Sequence, residues 1–119
     1  MNSILNNLSR TYTLERKGRT EEQVNKSIAF RFKDKNLLIT KPIFTDTTIT
    51  FTTYSKISYE ALAKKLIAER YSIEDELKLH REERENPYNE EYLEYVRYVK
   101  ECLARARQWI EERNNMLGV

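Results

Sequence analysis

The chain has 119 residues, enough for one hydrophobic core of ordinary size. Its hydrophobic share is 39% and its charged share 34%, and with two glycines and two prolines the composition excludes collagen-like, low-complexity and loop-dominated chains. The net charge of +2 conceals an uneven split: residues 1–56 carry ten Lys/Arg against five Asp/Glu, and residues 57–119 carry eleven against fourteen. One cysteine excludes an internal disulfide. No stretch approaches the about 18 apolar residues of a membrane span, and the start MNSILNNLSR lacks the basic-then-apolar layout of a secretory signal, so neither membrane placement nor signal-dependent secretion is expected.

In chain order, Ile4, Leu5 and Leu8 offer one amphipathic turn in an Asn-rich setting that is poor for a free helix. Tyr12 and Leu14 alternate as in a short edge strand, followed by a basic loop through Arg16, Lys17, Gly18 and Arg19. In Ser27-Ile28-Ala29-Phe30-Arg31-Phe32-Lys33, the period of two predicts a half-buried strand with Ile28, Phe30 and Phe32 on one face and Arg31 and Lys33 on the other. Asp34-Lys35-Asn36 reads as a turn, Leu37 to Lys41 as a second strand closed by Pro42, and Thr47 to Tyr54 as a third. All ten threonines fall in this half, which predicts a wetted strand face.

Ser58 is placed to cap a helix carrying Tyr59, Leu62, Ala63, Leu66 and Ile67, and Ser72 to cap a second, thin helix whose apolar residues are Ile73, Leu77 and Leu79. Asn86-Pro87 ends the second helix, and Asn89 can cap a long third one from Tyr88 to Leu117. Its stripe Tyr92, Val96, Val99, Leu103, Ala106 and Ile110 is flanked by the seven-residue row Tyr88, Tyr95, Cys102, Trp109 and Met116. A face that wide suits packing on a core rather than a two-stranded seam.

Residues for chemistry are scarce. One histidine, His80, and one cysteine, Cys102, cannot build a zinc site, and no base stands marked beside a Ser or Cys nucleophile. No glycine-rich loop exists to hold phosphate, and Glu90-Glu91 and Glu111-Glu112 have basic neighbours at helical spacing, as solvated ion pairs do. The expectation is a protein that is not an enzyme and carries no cofactor or metal. Tyr88, Tyr92, Tyr95 and Tyr98 crowd one end of the long helix, and tyrosine gives large, rigid contact area with a polar tip, so these four are the candidate protein contact. The alternative is nucleic-acid contact by Arg16, Lys17, Arg19, Arg31 and Lys33, with Tyr12, Phe30 and Phe32 as stacking partners. Against it, phenylalanines that alternate into a core leave only the basic residues outside.

Residues 57–108, through Leu66-Ile67-Ala68-Glu69-Arg70-Tyr71-Ser72-Ile73-Glu74-Asp75-Glu76, then Arg84, Pro87, Glu91-Tyr92, Tyr95, Glu101-Cys102 and Ala104, resemble a helical module at the end of small uncharacterised accessory proteins of tailed bacteriophages. The resemblance implies a virion-associated or accessory protein acting through protein contacts, located in the virion or the host cytoplasm, and it carries over no catalytic residue. The expected fold is α+β: a small antiparallel sheet of three or four strands followed by a helical hairpin with a long C-terminal helix. One domain is expected over residues 1–119, with an arm and edge strand over 1–23, a β-meander over 24–56 and the helical module over 57–119. The expected partner is a second copy or a larger phage structural protein. A host-factor-inhibiting or nucleic-acid-binding module using the basic half is the competing expectation.

Overall fold

The computed structural model describes residues 2–118, and the architecture is α+β. The elements are α1 (Asn2–Asn6), β1 (Ser9–Glu15), α2 (Glu21–Arg31), β2 (Leu37–Ile39), β3 (Ile43–Phe44), β4 (Thr48–Ser55), α3 (Tyr59–Ala68), α4 (Ile73–Glu85) and α5 (Glu90–Leu117). They group into two compact units: residues 5–56 together with the chain end from Arg113, and residues 57–112 together with the chain start as far as Ile4.

In the sheet unit, β4 is central and antiparallel to β1 on one side and to β2 and β3 on the other. β1 and β2 therefore run parallel with β4 between them, and such a pair cannot be joined by a tight turn. The crossover is α2. Of the meander expected over 24–56 the strands from Leu37 onward thus remain, and the strand expected at Ser27–Lys33 is corrected to a helix. Two local forces decide it. Thr20 Oγ1 accepts the Gln23 N–H at 3.2 Å while Gln23 Oε1 accepts the Thr20 N–H at 2.9 Å, a complete capping box, with Glu21 and Glu22 in the first turn. Val24, Ile28 and Phe32 then follow at intervals of four and are all buried, whereas Phe30, expected beside them, is 78% exposed.

Tyr12, Leu14, Ile39, Ile49, Phe51 and Phe44 meet Val24, Ile28 and Phe32 in one cluster, so the sheet's apolar face is filled by α2. Lys17 and Gly18, both with positive φ (55° and 71°), turn the chain between β1 and α2. The opposite face carries the threonines: Thr11 and Thr13 are exposed and Thr48, Thr50 and Thr52 half-buried. Two others are not wetted at all. Thr53 is buried, and buried Thr40 accepts the Thr52 backbone N–H on its hydroxyl at 2.9 Å, acting as a ladder partner where the strand is interrupted.

In the helical unit the side-chain oxygens of Ser58 and Ser72 cap α3 and α4 as expected, and Asn89 Oδ1 accepts the Tyr92 N–H at the start of α5. Leu62, Ala63, Leu66, Leu79, Tyr95, Cys102, Ala106 and Trp109 are buried. The seven-residue row supplies buried Tyr95, Cys102 and Trp109 to the α5 face, while of the four-three stripe Ala106 is buried and the rest half-buried. The two ends of that row, Tyr88 and Met116, are exposed. Arg113 donates from Nη1 to the Ser55 carbonyl at 2.9 Å within the sheet unit.

Candidate functional site

Apolar side chains are left exposed at the α3–α4 elbow of the helical unit. Ser72 caps α4 through a reciprocal box with Asp75, whose carboxylate accepts the Ser72 N–H at 3.0 Å; that bond holds the Asp75 carboxyl below its usual pKa. This cap fixes the direction in which α4 leaves the elbow. Only Leu79 of the helix is buried. Ile73 and Leu77, one turn apart, point the other way and are 79% and 60% exposed. Ile73 also lines a cavity of about 390 Å³ with Ile67, Ala68 and Tyr71, and Lys64 and Glu76 are among its polar residues. Burying two such aliphatic side chains would release about 1.5–3 kcal/mol each, a gain α4 forgoes in the isolated chain. The sequence held the signal: Ile73 and Leu77 are four apart, and Leu79 lies about 200° round the helix from Leu77.

The four tyrosines proposed as one contact surface have divergent roles. Tyr95 is buried and its hydroxyl donates to Glu76 Oε2 at 3.0 Å, tying α5 to α4. Tyr98 donates to the Leu66 carbonyl at 3.0 Å, tying α5 to the last turn of α3. Tyr71 packs edge-on to Tyr95 at 5.0 Å and tilted to Tyr98 at 5.6 Å. Arg70 lies over Tyr71 and Tyr98 and pairs with Glu94 at 3.0 Å. Tyr92 is half-buried against His80, whose exposed ring is edge-on at 5.8 Å. Tyr88 alone is freely presented, at 82% exposure. Tyr95 and Tyr98 are thus internal struts, and of the four Tyr88 offers the most surface to another molecule.

Those struts have a titration signature. Burial, reinforced by the bond to Glu76, pushes the Tyr95 hydroxyl up to about 12, and burial likewise pushes Tyr98 up to about 12. A raised folded-state pKa favours folding fully below the unfolded value near 10, and that contribution is lost as pH rises through 12. Unfolding midpoints should therefore hold level on this account up to about pH 10 and fall between about pH 10 and 12. Tyr95→Phe should remove one late-titrating phenol from a spectrophotometric titration. Cys102 is buried at the same level of α5, and burial raises its thiol, so it is a poor nucleophile.

The basic candidates are dispersed over the sheet unit. Arg16 donates to the carbonyls of Arg19 and Thr45, and Arg19 donates to those of Arg16 and Glu15, so both guanidinium groups brace the β1–α2 loop. Lys17 projects from that loop's left-handed position and is exposed. Arg31 stacks over Tyr12 at 5.0 Å and over Phe32, and Lys33 lies over Phe30 at 5.9 Å. Phe32 and Tyr12 face the core and Phe30 faces outward from α2, so the three aromatics do not share one surface.

Among the described residues no group of three or more His, Cys, Asp or Glu side chains is placed to hold a metal ion. No described helix is long and apolar enough to cross a membrane. A hollow of about 290 Å³ between α4 and α5 is lined by Arg70, Asp75, Lys78, Glu82, Glu91 and Glu94, charges of both signs that satisfy one another in part through the Arg70–Glu94 pair. Comparison with known protein families, known proteins and solved structures returns no match.

Proposed function

We propose that the chain is a non-enzymatic interaction protein that docks another protein on the α3–α4 elbow, and that it serves as an accessory or virion-associated component of a phage particle. The observation that carries the docking is the exposure of Ile73 and Leu77 on the outer side of a well-capped helix, next to the cavity at Ile67, Ala68 and Tyr71. Apolar side chains held in fixed geometry around a cavity, with charged residues about them, form the kind of surface on which a partner's aliphatic or aromatic anchor is desolvated. The phage setting is supported by the resemblance of residues 57–108 alone.

A photo-crosslinking side chain in place of Leu77, introduced in the cell of origin, should give one discrete protein adduct. The same probe in an Ile73→Glu background should lose it, because a carboxylate at that position cannot be desolvated cheaply. Absence of any adduct, together with DNA binding that weakens steeply with salt and is abolished by charge reversal at Arg16, Lys17 and Arg19, would move the function to the basic half.

A further inference from the structure

Two cations of the sheet unit converge on one aromatic ring. Arg10 stands two residues before Tyr12 in β1, so both side chains project on the face that α2 covers. Arg31 is the last residue of α2, next to buried Phe32. The guanidinium carbons lie over the Tyr12 ring, at 4.9 Å from its centroid for Arg10 and 5.0 Å for Arg31. Phe51, stacked on Tyr12 with 13° between planes, takes one face of that ring and leaves the other to both cations. Arg31 also lies over Phe32 at 5.3 Å. Two like charges held so near one point are no more than about 10 Å apart, a Debye length at about 0.1 M salt, so they repel.

No carboxylate answers this pair. Both arginines are exposed, and among the described residues neither guanidinium has an ion pair or a hydrogen bond. Arg16 and Arg19 differ in this, since their donors go to loop carbonyls. Glu15 projects to the opposite face of β1 from Arg10. Glu21 and Glu22 begin α2, about 14 Å or more along the axis from Arg31. Asp46 precedes β4, at the end of that strand paired with Glu15 and not with Arg10. Asp34, between Lys33 and Lys35, is exposed and makes no ion pair among the described residues. Stacking fixes the plane of a guanidinium while its N–H donors stay free, so the two forks are arranged before any ligand arrives.

We propose that Arg10 and Arg31 together bind a phosphate monoester, with Tyr12 as their platform. Charge decides the class. A monoester carries about −1.5 to −2 at pH 7 and offers several acceptor oxygens, which matches two guanidinium groups that each bond two oxygens in parallel. A nucleic-acid backbone brings one charge per phosphate and needs a row of free cations, whereas Arg16 and Arg19 are already engaged. The group can be carried by a small molecule or by a phosphorylated side chain, and the chemistry recognised is the same.

The Nε–H resonances of Arg10 and Arg31, followed by NMR as phenyl phosphate is added at constant ionic strength, test this. Both should shift along one saturating curve, and the affinity should rise as pH is raised through about 6, where the second phosphate proton is lost. Arg10→Gln or Arg31→Gln, at exposed positions where circular dichroism should be unchanged, should each weaken binding by about tenfold or more. Lys26→Gln should leave it unaltered. Tighter binding of a phosphoserine peptide than of phenyl phosphate supports the site with a protein as carrier, and the reverse supports it with a small molecule. Shifts that do not saturate, equal shifts from sodium chloride, a response that survives Arg31→Gln, or an oligothymidylate bound more tightly than either monoester would overturn the proposal.

Discussion

Phe51→Ala should destabilise the sheet unit by about 3–5 kcal/mol, the cost of removing a large aromatic from a site that cannot collapse. Phe51 is at the middle of β4, the strand to which every other strand is bonded. Its ring stacks on Tyr12 at 5.0 Å with 13° between planes and meets Phe32 edge-on at 5.9 Å, while Tyr12 and Phe32 touch each other at 5.6 Å. Truncation therefore empties the point where β1, β4 and α2 converge, and it also removes two of three aromatic contacts worth about 0.5–1.5 kcal/mol each beyond area. Against a total stability of about 5–15 kcal/mol, this is enough to leave a marginal unit substantially unfolded. Chemical denaturation followed by amide exchange in β1 and β4 measures it. A loss below about 1 kcal/mol would mean that Phe51 is not the centre of this core. Phe30→Ala is the matched control: with its side chain outside α2, it should change stability by no more than about 0.5 kcal/mol.

That contrast between phenylalanines also locates the limit of the sequence reading. Period two along Ile28, Phe30 and Phe32 contains period four along Ile28 and Phe32, so the apolar pattern alone fits strand and helix equally in so short a window. Val24 four residues earlier and the Thr20–Gln23 box favoured the helix, and they were legible, but they lay in a stretch whose polarity suggested a loop. The strands at Leu37–Ile39 and Thr48–Ser55, by contrast, were readable because β-branched residues and turn residues agreed there. In α5 the width of the apolar face was legible, but which row lay deepest was not, because that depends on where other helices approach. The internal bonds of two tyrosines were not legible for the same reason. Composition cannot say that Glu76 and the Leu66 carbonyl, each far away in sequence, will accept from Tyr95 and Tyr98 and turn candidate contacts into struts. The elbow was legible in the sequence, since a thin helix with two apolar residues four apart and a third off their row must leave one set exposed when only one side is packed.

Lys26→Pro gives the second large effect and bears directly on α2. Lys26 occupies the middle of the helix and is exposed, with its ammonium 3.3 Å from Glu22 and both side chains more than three-quarters accessible. Such a pair adds little, so Lys26→Ala should stay within about 0.5 kcal/mol of the parent. Proline at the same position removes the N–H that the helix directs at the Glu22 carbonyl and sets its ring against that carbonyl, costing about 3 kcal/mol or more. Because α2 supplies Val24, Ile28 and Phe32 to the core and is also the crossover joining β1 to β2, breaking it withdraws the apolar cover from β4 and the tether between two strands together. Far-ultraviolet circular dichroism and denaturant midpoints for the Pro and Ala variants separate backbone from side chain. A Pro variant as stable as the Ala variant would mean that residues 21–31 do not need a continuous helix, and the crossover account of the sheet would fall with it.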